Sequence, residues 1–495
     1  MIVNCKKIVS LLLLLISSVT ASANFSYNAR CMEAYNAIFS LKLNEARALI
    51  REEKQQNPQN GITVLLDSYV DFFTVLTSDS KNEYEKLKAR RSARIDALDG
   101  NDKSSPYYLF SQAEVYMQCG LLKGKFGDYM SSANDLKKAR NMLRDNMKKY
   151  PDFLPSLKSI ALIDVVFGAL PSSMKSVASF LGMKGNIQTG VNQLEKLRLQ
   201  IGNTKYSFFK DEVIFFLCYM DIDVLHNKDN YAKLSGYLAD MDDKSLLRGY
   251  LQGYVASKTA HNDEAIKHLE KLPKGGPYTP LPAVNYLLGN AKLCRMDSDA
   301  NVFLARYINE YKGMNFIKDS YLKLAYFYLL RGDEAKYQYY LKLVRARGYT
   351  VDEKDKQALK EANDSRPDVD LLKARLYFDG GYYAKALAEL KDEKVNSFKI
   401  PRDKMEFYYR LGRVYERLNK QDEAVANYQK TINMGKGATY YYAANAALSI
   451  GSIYEKRRDN KRAASYYKQA IDMKNHEYEK SIEMQAEEGL DRVGK

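Results

Sequence analysis

Apolar residues recur along the chain at three- and four-residue spacing, broken by short polar turns, which is the period of amphipathic helices and not of strands. In the C-terminal third the helices themselves repeat. Leu411-Gly412, Tyr415, Ala424, Tyr428 and Thr431 are followed 39 residues later by Ile450-Gly451, Tyr454, Ala463, Tyr467 and Ala470. Ala374, Tyr377, Gly381, Tyr383, Ala386, Leu387 and Leu390 form a copy offset by 38. Small residues at 374, 412 and 451 let a first helix approach its partner, where Ala386, Ala424 or Ala463 is expected to meet it, and apolar residues three and four positions away fill the gap. A single hairpin cannot bury its whole apolar face, so this pattern requires stacked neighbours.

These positions are those of the tetratricopeptide repeat (TPR), whose unit is ~34 residues, so the copies here resemble TPRs carrying inserts of four or five residues in their inter-repeat turns. Weaker copies lie upstream: Leu324-Ala325, Tyr328 and Gly332 with Ala335 and Tyr339; Leu288-Gly289; Gly253 with Ala265, Ile266 and Leu269; Ala139, Leu143 and Pro151; and Ala34, Ala46, Ile50 and Pro58. The polar stretch 352–368, which contains Pro367, reads as a seam. The expected fold is all-α, a right-handed superhelical solenoid of about a dozen TPR-like antiparallel helix pairs. Residues 24–360 form its irregular region and 361–495 its C-terminal array.

Between Phe153 and Lys196 the pattern changes. Ile160-Ala161-Leu162-Ile163 and Val165-Val166-Phe167 predict an apolar helix ending at Leu170-Pro171, with a second short one over Met174 to Leu181, then Gly182, Gly185 and Gly190. A helix apolar on every side is usually buried, so an interior hairpin near 155–195 is expected in preference to a lipid-contacting insertion. Leu170-Pro171-Ser172-Ser173, Phe180-Leu181-Gly182-Met183-Lys184-Gly185-Asn186, Gly190 and Leu194 resemble the centre of a eukaryotic TPR family linked to inclusion-body clearance and lipid handling. That likeness runs in order of features from Ser105 to Gly489 and implies a non-enzymatic helical-repeat protein.

The N-terminus predicts export. Lys6 and Lys7, the apolar run Ile8 to Ile16 and Ala21-Ser22-Ala23 together describe a cleavable signal peptide over 1–23. The destination would be a periplasm, secretory lumen or extracellular space, with association to the envelope surface as a further expectation. No later segment is long and apolar enough to span a bilayer, so no transmembrane helix is expected in the mature chain. Cleavage removes two lysines, taking the net charge from +15 over 495 residues to +13. Lys and Arg are dispersed among acids, as in Glu455-Lys456-Arg457-Arg458-Asp459, so ion-paired helix faces are expected and no nucleic-acid partner. Cys31, Cys119, Cys218 and Cys294 lie in apolar helical stretches at separations matching no metal pattern. Buried free thiols are expected over any of the three possible disulfide pairings.

No catalytic constellation emerges from the four His or the Asp/Glu pairs, and no cofactor or metal is implied. The default role of a TPR array is to hold a protein or peptide on the concave face lined by first helices. The exposed inner-face candidates are Tyr326, Arg375, Tyr409, Arg413, Arg417 and Lys456, with Tyr and Arg being the types that dominate binding hot spots. Arg375 and Arg413 stand where a carboxylate-clamp TPR would carry Asn. The competing readings are glycan capture, against which the absence of Trp counts although 40 Tyr are available to stack, and lipid binding through the apolar hairpin.

Overall fold

The computed structural model describes residues 24–170, 182–183 and 185–494. Among these, secondary structure is helical throughout, apart from an isolated bridge between Asn24 and Asn60. The predicted signal peptide and the second helix expected at Met174 to Leu181 lie outside the described residues.

The helices are α1 (Ala29–Phe39), α2 (Leu43–Gln56), α3 (Ile62–Ser78), α4 (Lys81–Asp99), α5 (Pro106–Lys125), α6 (Tyr129–Lys149), α7 (Pro155–Gly168) and α8 (Ile187–Ile201). There follow α9 (Lys210–Tyr219), α10 (Tyr231–Ala239), α11 (Leu246–Lys258), α12 (Asn262–Glu270), α13 (Ala283–Arg295), α14 (Ala300–Glu310), α15 (Ile317–Leu329) and α16 (Glu334–Ala346). The last are α17 (Glu353–Asn363), α18 (Val369–Asp379), α19 (Tyr383–Leu390), α20 (Pro401–Arg417), α21 (Gln421–Met434), α22 (Tyr442–Lys456), α23 (Asn460–Asp472) and α24 (Glu479–Val493). Their starts are set by local chemistry. Asn28, Ser80, Ser105, Asp128, Asn186, Ser245, Asp333, Asp352, Asp368 and Asp459 each cap a helix by accepting a backbone N–H.

The chain folds as two compact units. The first comprises residues up to Thr259 with His268–Val284 and Tyr311–Gly313, and the second comprises Ala260–Lys267, Asn285–Glu310 and the chain from Met314 onward. In the first unit, α7 is interior, as its composition predicts: Ala161, Leu162, Ile163, Val165 and Phe167 are buried. It is crossed closely by the chain leading into α8. A β-carbon at Gly185 would fall 2.3 Å from the Asp164 carbonyl, and one at Gly190 would fall 2.6 Å from that of Ala161, so neither position admits a side chain.

At the centre of this unit the core is charged. Lys158, fully buried, lies 2.7 Å from Glu212 Oε1 and 3.1 Å from Glu114 Oε2, and donates to the Tyr69 hydroxyl at 3.1 Å. Tyr35 donates to Glu212, and Tyr69 and Ser159 donate to Glu114. Phe110, Phe209 and Phe216 present their rings within 6.0 Å of the ammonium. Burial pushes the Glu212 carboxyl up, with Lys158 opposing and Glu114 adding to the rise. On Lys158, burial is outweighed by the two carboxylates, so its value is raised.

In the second unit, α15/α16, α18/α19, α20/α21 and α22/α23 are helix pairs, with α24 packed on the last. The repeat signature is met with one adjustment. Ala424 and Ala463 are buried, but the groups that a β-carbon at Gly412 or Gly451 would strike, at 2.6 Å, are the rings of Tyr428 and Tyr467. In α16 the register differs from expectation. Ala335 and Tyr339 are exposed, because Asp333 caps a helix whose buried stripe is Tyr337, Leu341 and Val344. The stretch read as a seam is itself a helix, α17, packed on α15 with Asp355 buried and accepting the backbone N–H groups of Phe316 and Asp319.

The four cysteines from Cys31 onward are buried and unpaired. No helix among the described residues is long and apolar enough to cross a membrane.

Candidate functional site

The second unit carries a polar cleft with a volume of about 110 Å³, formed where α15, α17, α18 and α20 meet the turns before α22 and α24. Helical spacing explains its floor. On α20, Arg402, Glu406 and Arg410 follow one another at intervals of four, and Arg413 and Arg417 continue the same face. On α18, Leu371 and Arg375 do likewise, and on α17 so do Gln357 and Glu361. The wall is aromatic: Tyr440, Tyr441 and Tyr442 arrive from the turn before α22, and Tyr478 from the turn before α24.

Each floor carboxylate is locked. Glu361 accepts both Nη1 and Nη2 of Arg375 at 2.9 Å, Gln357 Nε2 at 3.0 Å, and the Tyr326 hydroxyl. Burial pushes its carboxyl up, but the Arg375 guanidinium and these hydrogen bonds overcome that and hold it down to about 2. Glu406 accepts Nε and Nη2 of Arg410 at 3.0 and 2.8 Å and the Tyr442 hydroxyl at 2.9 Å. Burial is again outweighed, here by Arg410 and Arg375, and the value is lowered. Arg402 reaches Asp403 at 2.8 Å and the carbonyls of Ser365 and Arg366. At the rim, Glu477 pairs with Lys360, Asp364 is exposed, and Tyr478 donates to Gln357. Burial pushes the Tyr478 hydroxyl up to about 12.

Arg413 differs from these arginines. Its guanidinium lies 4.6 Å above the Phe378 ring and donates to the Tyr409 hydroxyl at 2.9 Å, and it pairs with no carboxylate among the described residues. The hydroxyls of Tyr440 and Tyr441 make no hydrogen bond among the described residues. The Tyr441 ring meets Tyr409 and Tyr478 edge-on at 5.6 and 5.3 Å.

Of the six inner-face residues expected from sequence, Tyr326 and Arg375 line the cleft. Tyr326, at 5% exposure, presents little beyond its hydroxyl, and Tyr409 is wholly buried. The expectation that these two are exposed is therefore corrected: both rings fill the space between neighbouring first helices. Arg413 and Arg417 are half-buried on α20 beyond the cleft, and Lys456 is exposed on α22. Sequence reasoning missed Glu361, Arg402, Glu406, Arg410, Tyr441 and Tyr478. The run Tyr440-Tyr441-Tyr442 in an inter-repeat insert was the available signal.

The tetratricopeptide repeat family matches residues 406–434 and 444–477. No curated protein matches the sequence. Among solved structures, a chain of the APC/C hetero-tetramer Cut9–Hcn1 is 12% identical, covering 97% of this chain and 99% of that one at a TM-score of 0.27. Human IFIT1, solved as a dimer with m7Gppp-AAAA, is 11% identical, covering 92% and 96% at a TM-score of 0.34. At these scores the likeness carries no argument about ligand or partner. The chain is all-α and carries tetratricopeptide repeats at α20/α21 and α22/α23.

Proposed function

We propose that the protein is an exported, non-enzymatic TPR scaffold that holds a polypeptide segment against the inner face of its second unit, in the periplasm or an equivalent extracytoplasmic compartment. The cleft between α17, α18 and α20 carries this reading: preorganised arginines beneath tyrosine rings are the composition of a binding hot spot, and locked rotamers reduce the ordering cost of association. Arg375, Arg413, Arg417 and the hydroxyl of Tyr326 are the contacts in this reading, Lys456 lies at its far end, and Tyr409 backs Arg413. The signal-like N-terminus supports export.

Glycan capture is the second reading, favoured by the exposed Tyr478 ring set edge-on to Tyr441. Lipid binding through the apolar hairpin is the third reading; the burial of Ile160, Ala161, Leu162, Ile163, Val165 and Phe167 weighs against α7 as its contact surface.

A photo-crosslinking amino acid placed at Tyr441 in the native host tests the scaffold reading, with Tyr129, exposed on the first unit, as control. Discrete protein adducts at 441 and not at 129 are expected. Equal labelling at both positions, or none at either, refutes polypeptide capture at this face.

A further inference from the structure

At about 110 Å³ the cleft is smaller than the roughly 300–1,000 Å³ of sites that enclose a small molecule, so a polypeptide segment enters it only if a wall moves. The walls are held in different ways. α17 is fixed by packing on α15, with Ala358 and Ala362 buried in the apolar cluster of α15 and α16. α20 and α22 pack in a second cluster with α21, α23 and α24. The turn before α24, residues 473–478, joins the two sides through polar groups. Glu477 pairs with Lys360, the Tyr478 hydroxyl donates to Gln357, and the Glu477 N–H donates to the Thr439 carbonyl at 3.0 Å.

In this position the turn carries costs of its own. Asn475 and Tyr478 have φ of 62° and 57°, left-handed values that are unfavourable for a residue with a β-carbon. His476 Nδ1 meets the Glu477 carbonyl at 2.7 Å, but Nε2 is buried with no hydrogen-bond partner among the described residues. The contact set against these costs is one that water readily replaces: Lys360 is partly exposed, and an exposed ion pair adds little net stability.

Resting on the scaffold reading above, we infer that residues 473–478 are a strap that gates the cleft. Closed, it ties Gln357 and Lys360 of α17 to the aromatic wall and seals the Tyr326 hydroxyl beneath. Open, it turns about Asn475 and Tyr478, releases its bonds to Lys360, Gln357 and Thr439, and admits the segment between α17 and Tyr441. The helices on either side stay packed, because the released bonds belong to neither apolar cluster.

Two ligand-free measurements on the full chain test this. Amide hydrogen exchange at Glu477, resolved by fragmentation mass spectrometry, reads release of the strap. Hydroxyl-radical oxidation of Tyr326 reads access to the cleft, with Tyr428, wholly buried in the same unit, as control. Lys360→Glu sets two acids face to face and should raise both signals by up to about fivefold, the scale of one exposed ion pair, with Tyr428 unchanged. Adding Glu477→Lys restores opposite charges and should return both to wild-type rates. Tyr478→Phe breaks the bond to Gln357 without a change of charge and should also raise both, so the conclusion does not depend on how well Lys360→Glu folds.

Unchanged Tyr326 oxidation in both Lys360→Glu and Tyr478→Phe, or faster exchange at Glu477 without it, would overturn the inference. An equal rise at Tyr428 in both variants would report general loosening and overturn it as well. Crosslinked protein adducts at position 441 should increase in Lys360→Glu by the factor that opening does. Adducts present but unchanged by opening would overturn the gate. Opening in both variants with no protein adduct in any background would keep the gate and refute the scaffold reading instead.

Discussion

The buried charge in the first unit makes a quantitative prediction. Replacing Lys158 by Met keeps the volume and removes the ammonium from between Glu114 and Glu212. At an effective dielectric of ~20, the two contacts at 2.7 and 3.1 Å are worth about 6 and 5 kcal/mol of gross Coulomb energy. Desolvation cancels much of that. A firmer ceiling comes from protonation, because orphaned carboxylates in an apolar core take up protons before the fold gives way. Neutralising a carboxyl of ordinary value 4.5 at pH 7 costs 2.5 × 1.36, or about 3.4 kcal/mol. Removing the ammonium takes away one positive charge, so about one such proton must be added to keep the charge of the site, and a loss of about 3–4 kcal/mol at pH 7 is expected. The sign with pH follows. A carboxyl whose folded value is raised binds its proton in the folded chain and not in the unfolded one, so stability falls as pH rises above 4.5. At pH 5 the loss should shrink below about 1 kcal/mol, because 0.5 × 1.36 is about 0.7. Adding Glu212→Gln to the variant should restore stability at pH 7. Hydrogen exchange followed by mass spectrometry on peptides from α3, α5, α7 and α9 reads this locally. A loss that is the same at pH 5 and pH 7, or one below about 1 kcal/mol at pH 7, would refute the account.

Two further predictions concern the second unit and the thiols. Glu361 is held down to about 2, so its contribution is present above 4.5 and lost as pH falls towards 2. The ceiling is again about 3 kcal/mol, and Glu361→Gln should flatten the acid limb of exchange in α15, α17 and α18. Burial pushes the thiols of Cys31, Cys218 and Cys294 up to about 12 and that of Cys119 to about 11, so iodoacetamide at pH 8 should leave the native chain unlabelled. In denaturant, intact mass should report four additions if the signal has been cleaved and five if Cys5 remains; labelling of Cys31, Cys119, Cys218 or Cys294 in the native chain, read by peptide mapping, would refute the burial argument.

The repeat pairs were legible because their rule is local: a small residue at a fixed offset from a large one is required wherever two helices nearly touch, as Gly412 with Tyr428 and Gly451 with Tyr467 show. The interior character of α7 was legible from composition, since apolar residues run all round it and its few polar ones, Ser156, Lys158, Ser159 and Asp164, are themselves buried. What failed depended on turn length. Moving the start of α16 to Glu334 turns Tyr339 outward and Tyr337 inward, and a consensus offset cannot register such a shift. The charged core was hidden more deeply. Tyr35, Tyr69, Glu114, Lys158 and Glu212 are separated by 34 to 54 residues from one to the next in the chain, and each taken alone is an ordinary polar residue of a helix.

The cleft was missed through the departures from the repeat, and those departures build it. The first-helix positions Ala325 and Ala374 are 49 residues apart where the next copy lies at 38, and the difference of 11 equals the length of α17. That extra helix supplies Gln357 and Glu361. The five-residue insert between the last two copies lies in the turn that carries Tyr440 and Tyr441, and Tyr478 comes from the turn that follows the last copy. Consensus counting looks for function at the repeated positions, where Tyr409 proves to be packing. In this chain the repeat supplies the arginine-bearing floor on α18 and α20, and the irregular insertions supply the aromatic wall and the locking carboxylate. Removing Arg413 alone should therefore weaken binding without disturbing the wall, whereas shortening the turn before α22 should abolish binding with the arginines intact.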